Sequence, residues 1–335
     1  MTSSTGSSKH GVSGEKNTPA ADVPDGLAGK TVLLTGGAGF IGSHLAERLV
    51  DECSVRVLDD LSTGATGAVP SGARLRRGDV RDEEAVLAAV DGVDVVFHQA
   101  GLVSVSESVE NPREAHTANA TGTLQVLEGA RREDARVVLA SSAAIYGQPG
   151  EVPVPESAPK RPRSPYGVSK LSADHYARTY NDLYGLSTVV LRYFNVYGPT
   201  RGGDTAGVVD SFLRQARAGG PLTVHGDGTQ TRDFVHVSDV VRANLRAGVT
   251  DRTGTAFNVG TGTAHSINDL AGTVRQVVGD VEVVHTGPRD GDIEHSCADI
   301  SRAREQLGYE PRVQLRSGLE RLVTRQAAPE PVTDG

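Results

Sequence analysis

Tyr166 and Lys170 stand four residues apart in a stretch that opens with Ser164-Pro165 and reads as a helix. At that spacing both side chains lie on one helix face, so an ammonium can stabilise a phenolate and prepare Tyr166 as a proton acceptor near neutral pH. Lysine is scarce in this chain, with five in all, at positions 9, 16, 30, 160 and 170, which lowers the odds of a chance pairing. Ser142 follows the apolar run 137–140, where its hydroxyl can share a proton with Tyr166 and a substrate. The bland reading of such a serine is an ordinary strand-end turn. A second group is Gly36, Gly39 and Gly42, between the apolar run 31–35 and the helical pattern Leu45, Ala46, Leu49, Val50. Glycines so placed permit a tight turn and close backbone approach to a pyrophosphate, while the helix N-terminus offers N–H donors to the anion. Asp59 ends the next β-rich run, near the spacing of roughly 20 residues expected of a carboxylate that binds ribose hydroxyls. A carboxylate there repels a 2′-phosphate, so the pattern predicts NAD rather than NADP.

The elements that must carry these groups are short and regularly spaced. β-rich runs at 31–35, 55–58, 74–77, 93–97, 137–140 and 188–192 are each separated by enough chain for a crossover helix. Most are continuous rather than alternating in apolarity, as in strands covered on both faces of a parallel sheet. An α/β class with a doubly wound parallel sheet follows. After Arg192 the rhythm breaks into Gly/Pro-rich stretches at 198–207 and 225–229, which predicts a smaller C-terminal lobe for substrate. The helix-like 235–249 and strand-like 256–259 return to the sheet, making that lobe discontinuous. The expected division is a tail at 1–26, a dinucleotide-binding domain at 27–195 plus about 234–262, a substrate lobe at about 196–233 plus 263–326, and a tail at 327–335. The first 26 residues contain no aromatic residue, Ile or Leu, so they cannot bury enough surface to offset ordering entropy.

Composition narrows the function classes. The 335 residues carry 42 acids against 34 Lys and Arg, a formal charge of −8, which argues against a nucleic-acid surface. Cys53 and Cys297 lie in no ligand cluster, so neither a disulfide framework nor a metal site is expected. No apolar run approaches the ~18 residues of a membrane span, and the N-terminus lacks a secretory apolar segment. The expectation is a soluble, cytoplasmic protein with no membrane partner.

These motifs occur in one order with TGGAGFIGSHL (35–45), LDDLSTG (58–64), GDVRD (78–82), ASSAAIYG (140–147), SPYGVSK (164–170), LRYFNVYGP (191–199), GDGTQTRDFVHVSDV (226–240) and RDGDIEHSCADI (289–300). From about residue 30 to 322 the sequence resembles the extended short-chain dehydrogenase/reductase family, a Rossmann-fold family. Within it the resemblance is to nucleotide-sugar epimerases and dehydratases, the UDP-glucose (UDP-galactose) 4-epimerase group in particular. It implies that Gly36, Gly39, Phe40, Ile41 and Gly42 hold the NAD pyrophosphate, Asp59 its ribose, Asp79 and Val80 its adenine, and Asn119 the nicotinamide ribose. Ser142, Tyr166 and Lys170 would be the catalytic trio, with Tyr166 and Lys170 also touching the cofactor. Asn195, Arg232 and Arg289 would hold the UDP diphosphate, and guanidinium forks suit that dianion in an acidic chain. Two positions depart from the family pattern. Val103 stands where a phosphate-contacting Lys is common. Ser296 stands where enzymes restricted to unsubstituted hexoses carry a bulky residue.

Related dehydratases follow the Ser/Thr with Asp-Glu, and decarboxylating relatives keep a Glu two residues before the Tyr of the YG pair. Here Ala143 and Ala144 follow Ser142, and neither can move a proton. The resemblance therefore implies an isomerase that oxidises the sugar at C4, lets the 4-keto sugar turn over and reduces it on the other face. UDP-Glc/UDP-Gal and, with Ser296, UDP-GlcNAc/UDP-GalNAc are the expected pairs. A UDP-glucuronate (hexuronate) 4-epimerase and a non-catalytic dinucleotide-binding relative are the alternatives, while Asp59 disfavours an NADPH reductase. The resemblance also implies a homodimer, with Val126, Leu127, Leu171, Tyr176 and Tyr180 as apolar contacts at helical spacing.

Overall fold

The computed structural model describes residues 23–201, 207–289 and 291–327. Strand β1 (Thr31–Thr35) runs into the glycine turn and helix α1 (Phe40–Leu49), and is followed by β2 (Ser54–Asp59) and β3 (Arg74–Arg77). Helix α2 (Glu83–Val90) starts at Asp82, whose carboxylate accepts the Glu84 and Ala85 N–H groups, and leads to β4 (Val95–His98). Next come α3 (Val105–Glu110), α4 (Pro112–His116), a π-helical turn at Thr117–Thr121, α5 (Gly122–Glu133) and β5 (Arg136–Ser142). The long helix α6 (Pro165–Tyr184) has Pro at its start and Gly185 in a left-handed cap at its end, and precedes β6 (Thr188–Tyr193) and β7 (Asn195–Tyr197). The remainder comprises α7 (Val208–Arg217), β8 (Leu222–His225), β9 (Thr231–Arg232), β10 (Phe234–His236), α8 (Val237–Ala247), β11 (Thr255–Val259), β12 (His265–Ser266), α9 (Ile267–Val278), β13 (Val283–Thr286), α10 (Ser301–Leu307) and α11 (Leu315–Ala327).

The main sheet has seven strands in the order β11-β6-β5-β4-β1-β2-β3, and every pairing is parallel. Its order reverses between β1 and β4, which opens a crevice at their carboxyl ends. One face is covered by α1, α8 and α10 through Leu45, Leu49, Val240 and Leu307. The other carries α2, α5 and α6 through Val86, Val90, Val126, Leu127, Ala173 and Tyr180. A third apolar cluster joins α7, α9 and α11 to β8 through Phe212, Leu213, Leu222, Leu270, Val274 and Leu319.

Two expectations need correction. Val23 and Leu27 are buried in the first cluster, so the folded chain begins before residue 27, while residues 1–22 lie outside the described residues. A single valine with Leu27 behind it suffices to anchor the chain ahead of β1. At the other end Ala327 closes α11, and 328–335 lie outside the described residues. Val126, Leu127 and Tyr180 are spent on the sheet and are unavailable to a partner chain, and Leu171 is partly buried. The apolar side chains that α3 and α6 leave exposed are instead Val105, Val109, Val168, Tyr176, Leu183 and Tyr184. Among the described residues no helix is long and apolar enough to cross a membrane.

Candidate active site

Gly36 has φ +68°, and a Cβ there would fall 2.6 Å from the Ala100 nitrogen, so the turn after β1 packs directly on the loop after β4. Gly42 is as constrained, since a Cβ would lie 2.1 Å from the Gly36 oxygen. Gly39 caps α1 without a side-chain acceptor, leaving the first N–H groups of Phe40, Ile41 and Gly42 unclaimed by any capping side chain. Asp59, buried at the end of β2, accepts the Ala38 N–H at 2.8 Å and the Leu61 N–H at 2.9 Å. Burial raises its carboxyl pKa against those two bonds. Beyond β3, Asp79 is gripped by Arg81, which holds its pKa below the usual carboxylate range, and Val80 is buried beside it.

Across the crevice, α6 is started by Ser164, whose Oγ accepts the Gly167 N–H at 3.1 Å, and by Ser108, whose Oγ accepts the Tyr166 N–H at 3.1 Å. This brings the Tyr166 phenol beside Ser142 at the end of β5, whose hydroxyl favours the phenolate. One turn later the buried Lys170 donates to the Ala140 oxygen at 3.1 Å, and burial lowers its pKa to about 8. Tyr166 itself is raised by burial, opposed by the Ser142 hydroxyl. The expected lowering of Tyr166 by Lys170 is therefore not a feature of this geometry. A dry site penalises the phenolate, and the Lys170 charge is not among the causes that act on Tyr166.

Asn119, in the π-helical turn, donates its Nδ2 to the Leu102 oxygen at 3.0 Å and to Ser169 Oγ at 2.9 Å. Its Oδ1 is buried with no hydrogen-bond partner. Gly101, at φ +152°, faces that oxygen: a Cβ there would stand 2.3 Å from Asn119 Oδ1 and 3.4 Å from Lys170 Nζ. An acceptor without a donor, an ammonium and a backbone stripped of Cβ atoms form a cradle that suits ribose hydroxyls. Val103, on the rim, is 63% exposed and offers no charge.

The substrate-side residues gather around Asp233. This fully buried carboxylate accepts N–H groups from Thr261, Gly262 and Ala298 at 2.8–3.1 Å and the Thr261 hydroxyl at 2.6 Å. Its carbonyl takes the Asn195 N–H at 3.0 Å, and Arg232 precedes it in the chain. Arg232 is mostly buried and pairs with Asp292, so an incoming diphosphate must compete with that carboxylate. Ser296 is half-buried, its N–H donating to the Thr231 oxygen at 3.1 Å. Arg232, Asn195 and Ser296 are thus neighbours, while the Arg289 side chain is exposed and makes no ion pair among the described residues. The Glu294 N–H donates to Gln148 Oε1 at 3.0 Å, tying this segment to the loop beyond Ser142.

Sequence reasoning missed Ser108, Gly101, Asp233 and Gln148. Asp233 lies inside the segment 226–240 already singled out, but only contacts over long sequence separation reveal what each of the four holds.

A model of the NAD dependent epimerase/dehydratase family matches residues 32–260. The chain is 38% identical over 303 residues to a UDP-glucose 4-epimerase of Mycolicibacterium smegmatis, covering 87% of this chain and 96% of that protein. The solved UDP-glucose 4-epimerase of Thermotoga maritima with UDP-glucose is 36% identical, with a TM-score of 0.85 over 89% of this chain and 100% of that one. The Thermus thermophilus UDP-glucose 4-epimerase with NAD is 38% identical, with a TM-score of 0.82 over 89% of this chain and 100% of that one.

Proposed function

The chain belongs to the NAD-dependent epimerase/dehydratase family, and from that premise we propose that it is a UDP-hexose 4-epimerase. The observation that carries this reading is the end of β5. Ser142 stands beside the Tyr166 phenol there, and the turn that follows begins with Ala143 and Ala144, which hold no proton to move. Elimination or decarboxylation needs a further acid or base at that place; reversible oxidation at one carbon does not.

NAD is the cofactor, and the chain's own groups suit it. The α1 N-terminus and the Gly36 turn would receive its pyrophosphate, Asp59 one ribose, and Asn119 Oδ1 with Lys170 the other. Bound there, NAD supplies a reversible hydride acceptor for the sugar's C4. Tyr166 takes the 4-hydroxyl proton and later returns it, with Ser142 relaying between phenol and sugar oxygen. Lys170 stays charged below about pH 8 and stabilises the phenolate once the site is filled. Arg232, Arg289 and Asn195 would hold the diphosphate, so that the hexose is free to present its opposite face.

Purified protein incubated separately with UDP-Glc, UDP-GlcNAc and UDP-GlcA tests the reading. Each C4 epimer, and no 4-keto-6-deoxy sugar or pentose, is the expected product for the first two. Turnover confined to UDP-GlcA would replace the reading with a hexuronate 4-epimerase. Ser296→Tyr should lose the N-acetylated pair selectively, because a bulky wall collides with the C2 substituent. The assembly proposed is a homodimer through the exposed Val105, Val109, Val168, Tyr176 and Leu183, and light scattering at micromolar concentration checks it.

A further inference from the structure

At the amino-terminal edge of the main sheet, opposite the catalytic crevice, α8, the end of α10 and residues 23–25 line an open cavity of about 600 Å³. Its position is fixed by Arg136, the first residue of β5, which donates to the Ala247 and Thr250 oxygens. Arg242, Arg246 and Arg312 line the cavity together with Val23, Leu245 and Val249. Arg242 and Arg246 are one helical turn apart on α8, so both guanidiniums reach the same side.

Two of these three guanidiniums have no carboxylate partner among the described residues. Arg242, with a side chain only 7% exposed, pairs with Asp239, yet its Nε is buried with no hydrogen-bond partner. Asp239 is also claimed by the Arg312 N–H at 2.9 Å and the Val313 N–H at 3.1 Å. Arg246 donates only to the Leu307 oxygen, at 3.3 Å, and neither Arg246 nor Arg312 makes an ion pair among the described residues. Burial first, and then the Arg312 and Arg246 charges, pull Arg242 down to about 10. Asp25 and Asp251 also line the cavity, and Asp251 acts on Arg136. Clustered guanidiniums in an acidic protein, one with an unmet buried donor, are suited to a tetrahedral dianion.

We propose that this cavity is a second anion site, separate from the catalytic crevice, that takes the phosphoryl group of a small metabolite. The volume exceeds a bare phosphate, and the Val23, Leu245 and Val249 walls suit an organic remainder. The assignment does not rest on the epimerase reading.

Melting of the protein saturated with UDP, which fills the other phosphate-binding residues, tests it with inorganic phosphate and with glucose 1-phosphate against chloride at equal ionic strength. Either phosphate should raise the melting temperature by about 2–4 °C at ~10-fold excess over its Kd. The rise should vanish in Arg246→Ala/Arg312→Ala, whose residues are exposed and whose loss leaves the fold intact, and persist in Arg232→Ala. A larger rise with glucose 1-phosphate assigns the site to a phosphorylated metabolite, and equal rises assign it to free phosphate. No rise beyond chloride, a rise that survives in the double variant, or a rise lost in Arg232→Ala would overturn the proposal.

Discussion

Asp174 and Asn119 are both fully buried and both lie close to the helix that carries Tyr166, but their surroundings differ. Asp174 receives Arg192 Nε at 2.8 Å, Arg192 Nη2 at 3.1 Å and Arg178 Nε at 3.0 Å. Arg192 in turn gives its remaining donor to the Tyr146 hydroxyl at 2.9 Å and the Glu156 oxygen at 3.1 Å. Tyr146 continues the chain to Asn258 Oδ1 at 2.7 Å. Behind the catalytic residues, every such group is closed. In front of them Asn119 Oδ1 has nothing, Tyr166 is raised by burial and Lys170 is lowered to about 8. A buried polar group left open costs stability unless a ligand completes it, so the open side is where ligands are expected and the closed side is the frame that holds it still.

The largest effect should come from breaking the closed side. Arg192→Met leaves the buried Asp174 carboxylate with Arg178 alone and should cost about 3 kcal/mol in urea unfolding; a loss under ~1 kcal/mol would erase the contrast. Tyr166→Phe, on the open side, should lower turnover at least ~100-fold, about 2.7 kcal/mol, and leave urea unfolding nearly unchanged. Equal damage to stability would mean that Tyr166 belongs to the frame.

Acidification reaches both sides through buried histidines. His98, bonded to Thr35 at 2.6 Å and Thr123 at 3.0 Å, is lowered to about 3 by burial and then by the Lys170 charge, and His236 to about 4 by burial. The unfolded chain takes up these protons below about 6.5, before the folded chain does. Stability is therefore present above that pH and should fall by up to ~1.4 kcal/mol per pH unit per histidine from about pH 6 to 4. His236→Asn, which preserves an acceptor at the α8 cap, should make the slope shallower; an unchanged slope would assign the loss to carboxylates. The smallest effect should be Asn119→Ala: about 10-fold faster loss of NAD in dialysis, the value of roughly one hydrogen bond, with stability changed by about 1 kcal/mol. Undiminished NAD retention would show that the open oxygen is not a ligand contact.

The helix-forming spacing of Tyr166 and Lys170 and the strand-end place of Ser142 were legible as chemistry, yet the direction of the Tyr166 shift was not. Periodicity reports which side chains share a face, and it contains no measure of how dry that face is. The same limit explains Val126, Leu127 and Tyr180. Their spacing marks an apolar face correctly, but the sheet covers it, leaving Val168 and Leu183 outward.

By itself the sequence determined the order of strands and crossover helices, the parallel sheet, the glycine turn with Asp59 after it, and the family, because these depend on local propensity, apolar runs and short motifs. Only the tertiary structure decided that backbone bonds of Thr231 and Asp233 bring Asn195 and Ser296 beside Arg232, that Ser108 holds the start of α6, and that Arg242, Arg246 and Arg312 meet at the far edge. Each of those arrangements depends on hydrogen bonds or charges brought together across many residues of chain, and no local pattern encodes which distant backbone group will complete a buried side chain.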